Sequence, residues 1–126
     1  MRHWLAPLLA LALVALLGAA QARYVAGCTE VWGEALAEAA ACAQREDWDG
    51  ARAALFSLSH AWEGRLPRLR AILGHDALEE IALRLAALQC CAEAEDGAEF
   101  HSLTAELTVL LRALREAEEL HLANIL

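Results

Sequence analysis

Lysine is absent from the 126 residues, so all ten basic side chains are arginine, set against eighteen Asp and Glu. The formal charge of -8 argues against nucleic acid or an anionic membrane surface as the main partner. Aromatic residues make up only 6% of the chain and there are two prolines. β-branched residues are also scarce, which disfavours a strand-rich fold. Gly-rich phosphate loops, a G-x-S-x-G elbow and aromatics interleaved with basic residues are missing, so no cofactor or nucleic-acid motif can be named. There is no internal repeat or low-complexity tail, and the length suits one domain. What is abundant is apolar: 59% of the residues are hydrophobic, mostly Ala and Leu. That composition excludes a disordered chain and predicts an all-helical one.

The first 22 residues read as an address. Leu5 to Leu17 is apolar and uncharged, preceded by Arg2 and followed by small residues ending Ala20-Gln21-Ala22. Basic start, apolar middle and A-x-A site are the layout of an export signal, whose cleavage leaves a chain beginning at Arg23. A retained membrane anchor is the second reading, since Trp4 to Ala22 is 19 residues and about 30 Å of hydrocarbon needs roughly that length. The third is lipidation at Cys28, because Val25-Ala26-Gly27-Cys28 resembles a bacterial lipobox, although Arg23 and Tyr24 interrupt the apolar run before it. All three place residues 23–126 outside the cytoplasm, secreted or membrane-anchored. That part carries nine arginines and eighteen acids, a net charge of -9.

Beyond residue 22 the apolar positions recur every three or four residues in four segments, the spacing that keeps one stripe of a helix facing its neighbours. The first is Val25, Cys28, Trp32, Ala35, Ala39, Cys42; the second is Trp48, Ala51, Leu55, Leu58, Trp62, drifting on through Leu66 and Leu69. The third is Leu78, Ile81, Leu85, Leu88, Ala92, and the fourth Phe100, Leu103, Leu107, Leu110, Leu114, Ala117. Asp47 is placed to cap the second helix, and Asp76 with Glu79 and Asp96 with Glu99 read as capping boxes for the third and fourth. Gly64, Pro67 and Gly74 predict a long, irregular second connection with Gly74 at a left-handed helix end. The other two connections are short, which forces antiparallel neighbours. The predicted fold is all-α: an N-terminal signal or anchor helix (1–22) followed by an antiparallel four-helix bundle (23–126).

That topology gathers Cys28, Trp62, His75, Glu79, Glu118 and His121 at one end, and Cys42, Trp48, Cys90, Cys91, Asp96 and His101 at the other. Cys28 and Cys42 lie fourteen residues apart, about 21 Å along one helix, and cannot pair with each other. Cys42 with Cys91 or Cys90 is the reasonable bridge for an exported chain, adding about 2 to 4 kcal/mol. Against it, cysteine on an apolar seam is often simply a small buried residue, and adjacent Cys90-Cys91 lacks the C-x-x-C spacing of redox and zinc sites. His75 and Glu79 share a helical face that His121 approaches from the fourth helix, so a metal or acid-base site can be drawn from the three. The plainer reading makes Glu79 a capping residue and His121 a helix-terminal histidine complementing the dipole. Trp32, Trp48 and Trp62 fall on apolar seams and read as core.

Asp47-Trp48 with Ala51, then Trp62, then His75-Asp76-Ala77-Leu78-Glu79-Glu80-Ile81, and finally Leu122-Ala123-Asn124-Ile125-Leu126 follow one another at recognisable spacings. In this pattern the chain resembles a family of small exported or membrane-anchored helical proteins from Gram-positive, often spore-forming, bacteria, classed as a domain of unknown function. The resemblance implies a helical architecture and an extracytoplasmic location, attaches no activity, and singles out His75, Glu79 and Asn124, with His75 and Asn124 as candidate partner contacts and the terminus as a docked segment. Together these readings lead to a non-enzymatic structural or interaction protein of the cell envelope, with an unknown envelope protein as partner and the membrane engaged through residues 1–22 if they are retained. The alternative is a small ligand- or metal-binding protein using His75, Glu79 and His121.

Overall fold

The computed structural model describes residues 2–125. Four helices follow in order: α1 (Arg2–Gln44), α2 (Trp48–Ile72), α3 (His75–Ala94) and α4 (Gly97–Ile125). The connections are three, two and two residues long, too short for anything but antiparallel neighbours. α1 packs against α2 and α4, and α3 closes the ring against the same two helices. The result is an antiparallel bundle in which α1 and α3 stand on one diagonal and α2 and α4 on the other.

α1 is a single helix of 43 residues that serves both the apolar N-terminal segment and the bundle. Its buried residues begin at Val25 and continue through Cys28, Thr29, Trp32, Leu36, Ala39 and Cys42. Before that point Trp4, Leu5, Leu8, Leu9, Leu11, Leu13, Val14, Leu16 and Leu17 are all exposed. The segment expected as signal or anchor therefore projects from the bundle as a bare apolar rod, with nothing among the described residues covering it to Val14. By length and composition this helix can cross a membrane.

The core is aliphatic and centred on two indoles. Trp32 on α1 and Trp62 on α2 meet edge to face with ring centroids 5.1 Å apart, an arrangement that favours aromatic pairs beyond simple burial. A second edge-to-face pair, Trp48 with Phe100 at 5.5 Å, closes the other end. α3 buries Leu78, Ile81, Leu85, Leu88 and Ala92, the expected set. On α4 the expected stripe turns by part of a residue step: Phe100, Thr104, Leu107 and Leu111 are buried, while Leu103, Leu110 and Leu114 are half-buried and Ala117 is exposed. A strict heptad drifts against the 3.6-residue turn of a straight helix, which explains the rotation. Thr104 tolerates burial because its hydroxyl donates to the Phe100 carbonyl one turn back.

The helix ends correct the sequence reading in three places. Asp47 does cap α2, its carboxylate accepting from the Gly50 N–H at 3.0 Å, and Asp96 accepts from the Glu99 N–H at 3.2 Å. Asp76 caps nothing: it lies in the first turn of α3, whose N-cap is Gly74, without a side-chain cap. Gly74 is extended, with φ -66° and ψ 146°, so it is not a left-handed helix end. The long second connection is also absent, because α2 runs through Gly64 and Pro67 to Ile72. Pro67 removes one backbone donor at about 3 kcal/mol, but continuing the helix buries Leu69 fully and brings Leu73 to 9% exposure. Each buried leucine returns about 1.5 to 3 kcal/mol, so burial wins.

Candidate functional site

The side chains singled out from the sequence separate to the two ends of the bundle. At the end from which the apolar rod projects, Cys28 is completely buried between α1 and α2. Arg65 reaches across from α2 and donates to Cys28 Sγ at 3.0 Å. That hydrogen bond holds the Arg65 guanidinium above its ordinary pKa. One turn further, Arg68 lies over the Tyr24 ring at 4.0 Å from its centroid, with Arg65 at 6.0 Å. This cluster of Tyr24, Arg65 and Arg68 has no signature in the apolar spacing. Tyr24 sits 41 and 44 residues before the two arginines, and only the antiparallel register of α1 and α2 brings it to them. Cys28, the lipidation candidate, is thus a core residue in mid-helix, and a lipid on its sulphur requires the first turns of the bundle to open.

His75 and Glu79 are joined as expected from their spacing, Nε2 to Oε2 3.7 Å, on an exposed face of the first turns of α3. His121 is exposed on α4. Among the described residues, no three His, Cys, Asp or Glu side chains converge on a position that could hold a metal ion. Asn124 is exposed at the end of α4. Leu126, the last residue of the terminal motif, lies outside the described residues.

The opposite end holds the remaining cysteines. Cys42 is buried, while Cys91 is half-buried and Cys90 exposed, and all are free thiols. Cys42 belongs to α1 and the other two to α3, on opposite corners of the bundle. Helices in contact are already about 8 to 10 Å apart between axes, and a bridge needs Cα atoms within about 7 Å. The structure therefore does not bring the expected pair together. Instead Cys42 Sγ accepts from Arg45 and donates to Glu38, each at 3.5 Å. Burial, reinforced by the Glu38 carboxylate, pushes the Cys42 thiol up, and burial with the Glu99 and Asp96 carboxylates nearby does the same to Cys91. Both stay protonated and are poor nucleophiles.

Between the loops at this end lies a cavity of ≈ 290 Å³ walled by Trp48, Phe100, Glu46, Glu95 and His101. Glu46 and Glu95 each adopt a left-handed backbone, with φ 58° and 54°. Glu95 is also 3.9 Å from Arg52, which bonds the Ala92 carbonyl and thereby fastens α2 to α3. Among the described residues, no nucleophile paired with a base lines this cavity.

The sequence pattern of a domain of unknown function, DUF4363, matches residues 20–125. The chain belongs to the DUF4363 family. The match begins at the last turn of the apolar rod and covers the whole bundle, so the DUF4363 region is the helical domain with its junction to that rod. Neither a curated protein nor a solved structure gives a match.

Proposed function

We propose that this DUF4363 protein is a non-enzymatic component of the cell envelope, held at the membrane by the N-terminal part of α1 and acting through contact of its bundle with another envelope protein. The observation that carries this reading is the continuity of α1: one helix of 43 residues runs from an uncovered apolar rod into the core. Exposed leucines in that number are costly in water and favourable in lipid. The same continuity supports a retained anchor over cleavage after Ala22, because cleavage there cuts a regular helix one turn before its first fully buried residue. The free thiols, the exposed His75 and Glu79 pair, and the distal cavity support no catalytic step.

Intact mass of the natively expressed protein, taken separately on membrane and soluble fractions with and without thiol alkylation, tests this. A membrane species retaining the full N-terminus is expected. A soluble species beginning at Arg23 overturns the tether and makes the bundle a secreted domain, and added lipid mass on a chain beginning at Cys28 replaces the helix by a lipid as the anchor. Cross-linking in intact membranes then identifies the partner, and a chain recovered only with itself or alone counts against the contact role.

A further inference from the structure

The bundle is not flush with the base of the rod. Thr29, Glu30 and Gly33 of α1 line one groove with Thr108, Leu111, Arg112 and Arg115 of α4. The two helices are antiparallel, so seven residues onward from Arg115 corresponds to seven residues back from Thr29 or thereabouts. Leu122 therefore comes level with residues 19–22, inside the apolar segment. Burial records the same overlap. Ala15, Gly18, Ala19 and Ala22 fall on one stripe of α1 and are half-covered, whereas Leu13, Val14, Leu16 and Leu17 between and before them are exposed. Glu118 and Leu122 are the half-covered positions near the end of α4. Small residues on one helix let the other approach closely.

The level of the membrane surface can be placed independently. Trp4 and Tyr24 are twenty residues apart on one helix, about 30 Å at 1.5 Å per residue, and this equals the hydrocarbon thickness of roughly 30 Å. Trp and Tyr favour the two interfaces. Arg23 adjoins Tyr24, and Arg65 and Arg68 surround its ring, as suits phosphate headgroups. Measured from that level, Leu122 lies on the bilayer side.

We propose that the last turns of α4, from Leu120 to Asn124, enter the interfacial layer of the bilayer beside α1, giving the protein a second membrane contact. This rests on the tethered reading above. Leu120, 66% exposed in the isolated chain, is the apolar side chain offered to lipid. His121 and Asn124 reach the headgroups, and the depth of a few ångströms to about 10 Å is that of an interfacial helix. The partner committed to is the lipid surface itself, reached by the geometry of the rod and not by net charge.

The test uses the full chain in vesicles of phosphatidylcholine and phosphatidylglycerol, with Cys90→Ser and Cys91→Ala to remove the accessible thiols. Single nitroxide labels are placed at Leu13→Cys, Leu120→Cys and Val109→Cys, all exposed positions. Collision with oxygen, which concentrates in lipid, is compared with collision with a polar nickel chelate. The label at 120 should fall between those at 13 and 109, more exposed to nickel than the mid-bilayer label at 13 and with nickel accessibility several-fold below that at 109. A label at 120 as accessible to nickel as that at 109, with 13 in lipid, overturns the second contact and leaves the tether standing. A label at 13 that is itself aqueous overturns the tether and this proposal together.

Discussion

Arg65 on α2 donates to the sulphur of the fully buried Cys28 on α1 at 3.0 Å, tying the two helices together at the level where the apolar rod leaves the bundle. Replacing Arg65 by Met keeps most of the stem and removes the hydrogen bond. Arg65→Met should lower stability by about 1 kcal/mol, the net worth of one such bond, read from urea unfolding in detergent.

Trp32 and Trp62 touch edge to face, but the Trp32 Nε1–H is buried without a partner. Trp62→Ala should cost about 3 to 5 kcal/mol. Trp32→Phe removes the orphaned donor along with part of the ring, and the two effects oppose each other. Its stability should stay within about 1 kcal/mol of the parent, while Trp32→Ala falls with Trp62→Ala; thermal unfolding of the three variants checks the order.

Asp47 and Asp96 cap helices through side-chain hydrogen bonds, and Asp76 does not. Alanine at 47 or 96 should therefore cost about 0.5 to 2 kcal/mol. Asp76→Ala loses only its favourable place in the first turn, about 0.3 to 1 kcal/mol. Equal losses at 76 and 96 in chemical denaturation would contradict these cap assignments.

Gly50 has no room for a side chain: an added Cβ would meet the Asp47 carboxylate and approach Cys42 Sγ to 2.9 Å. Gly50→Ala should destabilise by about 1 to 3 kcal/mol despite alanine's better helix propensity. A melting temperature equal to or above that of the parent would contradict this.

The four thiols should alkylate in the order of their exposure, Cys90 first and the buried Cys28 and Cys42 last. Because the Cys42 pKa is raised by burial, its thiolate forms only above the ordinary thiol range, and its reaction in the folded chain needs correspondingly higher pH. The linked effect on stability has a definite sign. It is absent below the ordinary thiol pKa and grows as a loss when pH rises through it, since the unfolded chain ionises first. Mass spectrometry of timed alkylation across pH 7 to 11, roughly the span around the thiol pKa, follows both.

Most of the bundle was legible in apolar spacing. The seam of α3 matches residue for residue, and those of α1 and α2 differ mainly in Leu36 taking the place of Ala35. The apolar pattern places the fourth seam one step away, because a heptad through Leu103 and Leu110 hides the polar Thr104 and the adjacent Leu111. Pro67 and Gly64 misled for a different reason: local propensity argued for a break, and the burial of Leu69 outweighed it. The Tyr24, Arg65 and Arg68 cluster was not legible at all, since arginines spaced along a helix look the same whether they face water or a ring on another helix. The register of α4 against the apolar segment was equally hidden, because it depends on where two helices end relative to each other.

The uninterrupted course of α1 also fixes a height. From Arg23 to Gln44 the helix has no joint, and at 1.5 Å per residue it sets the far loops about 30 Å from the end of the apolar rod. A tethered bundle built this way has no freedom to lie down on the surface or to search a volume as a domain on a flexible linker does. On the proposed tethered reading, any tilt of the apolar rod is transmitted as a lever, so that a small rotation at its base sweeps the acidic tip with Glu46, Asp47, Glu95 and Asp96 through a larger arc, and the proposed partner would meet that tip at this stand-off distance.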